Sequence, residues 1–258
     1  MTKWKHKVDL GWLISRQLCL TATDVKDLLP VTKTGRKRTV SDEDYMKVYA
    51  RKQVDLTESD CISYGAAARG HILEPYAVNM WNERMPDKLY HWDDMVVTRL
   101  RFKKFGLGFS PDAMSCKMPH TNGTTMIAMD GVKYIGEIKS YSPEKHFVCG
   151  HTKPEDLDER WQLAVAMAVC ESIEKAYLIF YNPSMSISMY IVEYTREDLE
   201  DEIAMVLDVE QNWLTFIDEI GTKHVNQFTA GGLRESQIID AIIKEEELNP
   251  DDEKTVIK

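Results

Sequence analysis

The sequence predicts an α/β protein with a central mixed β-sheet flanked by helices. Helix-like and strand-like segments follow one another along the chain, an order of elements that suits this architecture. Hydrophobic residues form 43% and charged residues 29% of the 258 residues, which is ordinary for a globular protein with a substantial core. No internal repeat or low-complexity linker divides the chain. We therefore predict one domain over residues 1–258, with a core over about 12–195 and a helical extension over about 196–258.

The first predicted helices are defined by their capping residues. Thr21 or Thr23 begins a short helix that ends before Pro30, and the polar, basic residues 31–40 are predicted to form a loop. Ser41 and Asp44 resemble a capping box that opens a second helix, which continues through about Val54.

A longer helix is predicted over roughly residues 60–84. Pro75 lies inside it and is expected either to kink the helix or to mark a fresh first turn. The apolar stripe of this helix is predicted to consist of Ile72, Leu73, Tyr76, Ala77 and Met80.

Strand-like segments dominate the middle of the chain. Residues 95–102 are rich in β-forming residues, and 107–110 lead directly into Asp112. The dipeptide Asp130-Gly131 predicts a hairpin turn between strands over 124–129 and 132–140. Next come a helix over about 155–170, strands over 176–181 and 186–194, and helices over about 196–220 and 233–248. The inward face of the 155–170 helix is predicted to carry Leu157, Trp161, Ala164, Val165 and Ala168.

Composition excludes several classes of function. No apolar run approaches the ~18 residues of a membrane span, and the N-terminus lacks a secretory signal, so we expect a cytoplasmic protein without a membrane partner. Neither a Walker-type phosphate loop nor a histidine pair with zinc spacing is present. The five cysteines contain no C-x-x-C pair, which argues against a disulfide framework, a zinc site or an iron–sulfur cluster: Cys19, Cys61, Cys116, Cys149 and Cys170.

The formal net charge of −10 argues against a protein whose whole surface binds DNA. A local basic channel remains compatible with this charge, because attraction depends on where the charges lie. Each basic cluster alone is most simply a solvated loop. Two clusters are candidates for nucleic-acid contact: Lys33, Arg36, Lys37 and Arg38, and Arg99, Arg101, Lys103 and Lys104.

The most informative motif is Ser110-Pro111-Asp112, followed 25 positions after the aspartate by Glu137-Ile138-Lys139. Residues two apart on a strand project to one face, about 6.6 Å apart, so Glu137 and Lys139 are predicted to point together. Two carboxylates bind a hard cation through oxygen, and a lysine can lie beside a phosphate under attack. A lone Glu-x-Lys is a weak signal, but the preceding aspartate makes this the pattern of a magnesium-dependent phosphodiesterase.

Two further polar residues are candidates for the same site. Gln162 lies on the helix after the Glu-x-Lys strand, where by itself a surface amide is the usual role. Glu74 lies in the long helix, where it could face water, as most glutamates do, or turn toward a metal-bound water.

In combination these motifs resemble the PD-(D/E)XK nuclease superfamily, and most closely the lambda exonuclease and YqaJ-type viral recombinase family. Arg16 followed by Thr21-Ala22-Thr23 resembles the family's arginine and T-A-S/T motif. The Gly70-x-x-x-Glu74 helix and the Tyr181-Asn182-Pro183 turn are similar as well. The likeness covers about residues 12–195 and implies a restriction-endonuclease-like core.

The resemblance also implies a role for each candidate residue. Asp112 and Glu137, with the backbone carbonyl of Ile138, would hold Mg²⁺, for which Mn²⁺ is expected to substitute, and Glu74 would support a second ion through water. Lys139 would orient or deprotonate the attacking water or neutralise charge on the phosphate, and Gln162 would position Lys139 or the nucleophile. A pocket for the 5′-phosphate of a DNA end would be formed by Arg16, Thr23 and Ser110.

The activity implied is 5′-to-3′ digestion of one strand of linear double-stranded DNA, which leaves 3′ tails for phage-type recombination. The family implies a ring-shaped homotrimer and a single-strand annealing protein as partner. Two alternatives stay open from the residues: a structure- or site-specific endonuclease of the same superfamily, and a non-catalytic DNA-binding module.

Overall fold

The computed structural model describes residues 4–31, 36–57, 59–92, 97–101, 104–116 and 132–223. Its strands are β1 (Lys5–Lys7), β2 (Ile62–Tyr64), β3 (Tyr90–His91), β4 (Val97–Arg101), β5 (Lys104–Phe109), β6 (Ala113–Met114), β7 (Tyr134–Lys139), β8 (Lys175–Tyr181) and β9 (Met189–Thr195). Its helices are α1 (Leu10–Leu18), α2 (Ala22–Leu28), α3 (Asp42–Lys52), α4 (Gly65–Arg84), α5 (Pro143–Cys149), α6 (Arg160–Val169) and α7 (Glu200–Lys223).

A five-stranded mixed sheet organises the fold, in the order β3-β6-β7-β8-β9. The pair β7–β8 is parallel, and the other neighbours in this sheet are antiparallel. Two further antiparallel pairs, β1–β2 and β4–β5, lie outside it. The predicted fold class, a mixed sheet flanked by helices, is confirmed.

The two faces of the sheet belong to two separate apolar clusters. On one face, Ile138 of β7 and Tyr177 of β8 share a cluster with Trp81 of α4, whose ring centroid lies 4.6 Å from that of Tyr177. On the other face, Ile135 and Phe180 share a cluster with residues of α2, α6 and α7. Because side chains alternate along a strand, Glu137 and Lys139 project from the face that carries α6.

Most predicted elements agree with the structure. The capping box of Ser41 and Asp44 begins α3, and Thr21 caps α2. The predicted inward residues of α6 and its preceding turn are all buried. Parts of the sequence prediction fall outside the described residues: residues 32–35 of the predicted loop, with Lys33 of the first basic cluster, the side chains of the second basic cluster, the strand over 124–129, the Asp130-Gly131 turn, and the helix over 233–248.

Several boundaries predicted from sequence are wrong. The long helix starts at Gly65 rather than near residue 60, because β2 pairs with β1 and the chain then turns at Gly65 with φ of 62°, a conformation that favours glycine. Helix α4 continues across Pro75, so a fresh first turn there is wrong. Tyr76 is 60% exposed rather than part of the buried stripe. The predicted 155–170 helix begins at Arg160, and α5 was not predicted.

Within the ranges that the structure covers, no helix combines the length and the apolar character needed to cross a membrane.

Candidate active site

Strand pairing brings the predicted aspartate and glutamate together. In the β6–β7 pair, Ala113 lies opposite Gly136 and Met114 opposite Ile135. One step further along this register, Asp112 lies opposite Glu137. The Oδ2 atom of Asp112 accepts a hydrogen bond of 2.7 Å from the backbone N–H of Ile138. The aspartate is therefore fixed against the segment that carries Glu-x-Lys.

Glu137 is the centre of a hydrogen-bonded group that includes Lys139 and Gln162. Its Oε1 atom accepts from the ammonium group of Lys139 and, at 2.8 Å, from Nε2 of Gln162. The side chains of Glu137 and Lys139 are only 13% and 20% exposed. The alternative in which Gln162 is a surface amide is wrong, because the third residue of α6 faces β7 and contacts Glu137.

Burial and charge perturb both ionisable neighbours of Glu137. Burial raises the pKa of Asp112 well above its ordinary value, and the negative charges of Glu137 and Glu74 raise it further. Burial would lower the pKa of Lys139, but the charges of Glu137 and Asp112 outweigh burial and raise that pKa. The site thus concentrates carboxylates in a position where a cation would relieve their repulsion.

The donor set fits a hydrated magnesium ion. Among the residues that the structure describes, no group of three His, Cys, Asp or Glu side chains is arranged to hold a metal. Mg²⁺, however, commonly takes one or two carboxylates and keeps several waters. The N–H and C=O of one strand residue point toward the same neighbour, so the carbonyl of Ile138 faces the Asp112 side together with its N–H. Asp112, Glu137 and this carbonyl offer three oxygen ligands of the required kind.

Glu74 faces the protein interior. It is 7% exposed on α4, and its two carboxylate oxygens lie 3.6 Å from Nδ1 of His71 and 3.4 Å from Nε2 of His91. Burial would raise the pKa of Glu74, but these two histidines lower it to about 2. The water-facing alternative is wrong, and the charge of Glu74 acts on Asp112.

Two of the three residues predicted to bind a terminal phosphate meet at Trp12. The indole Nε1 of Trp12 donates a hydrogen bond of 2.7 Å to Oγ of Ser110, and the guanidinium carbon of Arg16 lies 4.8 Å from the indole ring centroid. Sequence reasoning missed Trp12, although it stands one helical turn before Arg16 on α1. The i, i+4 spacing of Trp12 and Arg16 is the sequence signal that could have identified Trp12 as a neighbour of Arg16.

Thr23 is exposed in the first turn of α2. Its connection to the other two residues runs through the backbone, because Leu20 exchanges hydrogen bonds with β5. The N–H of Leu20 donates to the carbonyl of Gly106 at 2.9 Å, and the N–H of Gly108 donates to the carbonyl of Leu20 at 3.0 Å. The junction of α1 and α2 is thus attached to the strand that leads into Ser110.

A second polar group near Lys139 was also missed. The hydroxyl of Tyr141 donates to Oε1 of Glu159, and the ammonium of Lys145 lies 3.5 Å from the Tyr141 ring centroid and 3.6 Å from the same carboxylate oxygen. Asn182 of the predicted aromatic–Asn–Pro turn donates to the carbonyl of Tyr141 at 2.9 Å. The charge of Glu159 contributes to the raised pKa of Lys139.

The fold of the chain is similar to that of solved structures. The chain is similar to an alkaline exonuclease, LHK-Exo from Laribacter hongkongensis. The two structures superpose with a TM-score of 0.57 at 15% identity, over 85% of this chain and 100% of that chain. A second structure, LHK-Exo in complex with dAMP, gives a TM-score of 0.55 at 14% identity over the same shares. No protein-family model matches the sequence, and no curated protein matches it. The chain shares its fold with LHK-Exo.

Proposed function

We propose that the protein is a magnesium-dependent exonuclease that degrades one strand of linear double-stranded DNA from the 5′ end. The observation that carries the proposal is the convergence of Asp112, Glu137, Lys139 and Gln162 in one partly buried group at the end of β7. The fold shared with an alkaline exonuclease, crystallised in one case with dAMP, supports the same conclusion.

The proposed metal ligands are Asp112, Glu137 and the carbonyl of Ile138, with Glu74 supporting a second ion through water. When bound, magnesium ions lower the pKa of a coordinated water and neutralise charge on the scissile phosphate and leaving oxygen. Asp112 is held in place for this role by its hydrogen bond from Ile138.

Lys139 is proposed to orient or deprotonate the attacking water, or to neutralise charge on the phosphate. A protonated ammonium beside the reacting phosphate would donate to an oxygen on which negative charge develops. Gln162, which shares the Oε1 atom of Glu137 with Lys139, would keep both side chains in position.

The proposed 5′ polarity rests on the phosphate pocket that Arg16, Thr23 and Ser110 would form. A guanidinium group binds phosphate oxygens in a bidentate manner, and two hydroxyls would complete the contacts. The resemblance of these motifs extends the proposal to a homotrimeric ring, to a single-strand annealing protein as partner in phage-type recombination, and to a cytoplasmic location.

The decisive experiment uses linear duplex labelled at either end, with or without a 5′-phosphate, incubated with Mg²⁺ or EDTA. We expect mononucleotide release from the 5′ end in Mg²⁺ alone, and no cleavage of covalently closed circular duplex. Cleavage of the circle would favour an endonuclease, and failure to release nucleotides would favour the DNA-binding alternative.

Two variants test the site itself. Asp112→Ala and Lys139→Ala should each lower cleavage by about 10²-fold or more, while circular dichroism shows a folded protein. Activity close to wild type in either variant would contradict the assignment of the site.

A further inference from the structure

A buried ion pair contacts the segments that carry Arg16 and Thr23 and has no part in the chemistry described above. Lys52, the last residue of α3, has a side chain that is 10% exposed, and its ammonium lies 2.5 Å from Oδ2 of Asp24, which is 7% exposed. The same ammonium donates to the backbone carbonyl of Arg16 at 2.9 Å. One side chain therefore contacts both segments that carry the basic and hydroxyl groups of the pocket.

Asp24 belongs to the capping box that begins α2. Its Oδ2 atom accepts hydrogen bonds from the N–H of Thr21 at 2.9 Å and from the hydroxyl of Thr21 at 2.6 Å. Thr23 lies in the same turn, between Thr21 and Asp24. The contact from Lys52 thus fixes the turn on which Thr23 is presented.

The carbonyl of Arg16 is among the last four of α1, which spans Leu10–Leu18, and such carbonyls need a donor from outside the helix. An ammonium group has three donors, so Lys52 satisfies this carbonyl and the buried carboxylate together. The neighbouring Arg51 also lies 3.5 Å from Oδ1 of Asp24, but its side chain is 48% exposed and contacts Asp27 as well. Lys52 is the contact that joins α1, α2 and α3.

We propose that Lys52 is a positioning residue that sets the selectivity of this protein for a 5′-phosphorylated DNA end. The proposal rests on the function proposed above. In it, the contacts of Lys52 fix the distance between Arg16 on α1 and Thr23 on α2. Lys52 acts through these two residues, since its ammonium is occupied by Asp24 and by the carbonyl of Arg16.

The experiment measures one ratio for each variant: the affinity for a short duplex with a 5′-phosphate divided by the affinity for the same duplex with a 5′-hydroxyl. Fluorescence anisotropy with Ca²⁺ in place of Mg²⁺ gives binding without relying on turnover. A partly unfolded sample lowers both affinities equally, so the ratio reports the pocket rather than the folded fraction.

Lys52→Met should reduce this ratio by about tenfold or more, because small displacements of positioning groups have large effects. The double variant Asp24→Asn with Lys52→Met removes both charges and therefore leaves no unpaired buried carboxylate. Its affinity ratio should fall by a similar factor. Lys52→Arg keeps the charge and should have an affinity ratio close to that of the wild type. The matched control is Lys47→Met, since Lys47 lies on the same helix but is 66% exposed and paired with Glu43 on the surface.

A folded double variant with the wild-type ratio would overturn the proposal, and so would a wild-type protein that binds both ends equally. Failure of the proposed function is a separate outcome, in which the wild type releases no nucleotides in Mg²⁺ whatever its end preference.

Discussion

At the scale of single residues, the candidate site depends on how one glutamate oxygen is shared. Oε1 of Glu137 accepts from both Lys139 and Gln162, so the amide helps to hold the pair in one orientation. A hydrogen bond from a neutral amide to a charged carboxylate contributes about 1.5–3 kcal/mol.

Gln162→Ala should therefore lower kcat by about 10- to 100-fold with little change in KM, because the lost bond acts on positioning rather than on DNA binding. Steady-state nucleotide release measures both constants. Gln211→Ala, at an exposed position of α7, is the control and should leave both unchanged. An equal effect of the two substitutions would contradict a role for Gln162.

Asp24 gives the protein a specific dependence of stability on pH. Burial would raise its pKa, but the charge and hydrogen bond of Lys52 and the hydrogen bonds from Thr21 lower it below the ordinary value of 3.8. A depressed pKa in the folded state means that this carboxylate stabilises the protein above about pH 4 and that the contribution is lost as pH falls below that value.

We therefore expect Asp24→Asn to be less stable than wild type at pH 7 and to lose less free energy of unfolding between pH 6 and pH 3. Urea denaturation at both pH values measures the difference. Asp27→Asn, at a neighbouring exposed position of α2, serves as the control. If Asp24→Asn loses as much stability as wild type over this pH interval, the ion pair with Lys52 does not contribute as described.

At the scale of elements, helix α7 is fixed to strand β5 by a buried carboxylate. Oε1 of the fully buried Glu210 accepts a hydrogen bond of 3.0 Å from the N–H of Leu107. The neighbouring Gly106 makes room for this contact, since a Cβ atom there would lie 2.0 Å from the same oxygen.

Gly106→Ala should destabilise the protein by about 1–3 kcal/mol, the usual effect of leaving buried polar groups unpaired. Gly70→Ala is the matched substitution, and we expect it to stabilise the protein. The nearest atom to a Cβ at position 70 would be 3.9 Å away, and alanine is more favourable than glycine in a helix interior by about 1 kcal/mol. Chemical denaturation of both variants tests this contrast, and a stable Gly106→Ala variant would contradict it.

Local sequence signals correctly predicted the features that depend on neighbouring residues, namely helix starts and buried helix faces. A capping threonine identified the start of α2 and a capping box that of α3, and the apolar pattern of the 155–170 region identified the buried residues of α6. The failures come from long-range pairing. β1 lies more than fifty residues before its partner β2, and this pairing moved the start of α4 to Gly65.

At the scale of the whole molecule, the site joins segments that are distant in sequence on one fold. α4 contributes Glu74, the start of β6 follows Asp112, β7 contributes Glu137, and α6 contributes Gln162. The repulsion of Asp112 by Glu137 and Glu74 at this junction predicts that a divalent cation stabilises the entire fold.

Mg²⁺ at ten times its dissociation constant should stabilise the folded protein by about 1.4 kcal/mol and raise Tm by about 3–6 °C. Asp112→Asn should remove this shift. Without metal it should be at least as stable as wild type, because asparagine can still accept from the N–H of Ile138 while the repulsion with Glu137 disappears. Thermal unfolding in Mg²⁺ and in EDTA checks both statements, and an unchanged Mg²⁺ shift in the variant would contradict the proposed ligand set.

The sequence by itself determined the α/β class, the capped helices and the spacing that puts Glu137 and Lys139 on one face of a strand, because periodicity and capping act over a few residues. Only the tertiary structure decided that Asp112 lies opposite Glu137, that Glu74 is paired with His71 and His91, and that Trp12 lies between Arg16 and Ser110. Strand register and helix packing bring these groups together, and both arise from burying apolar faces across long sequence separations.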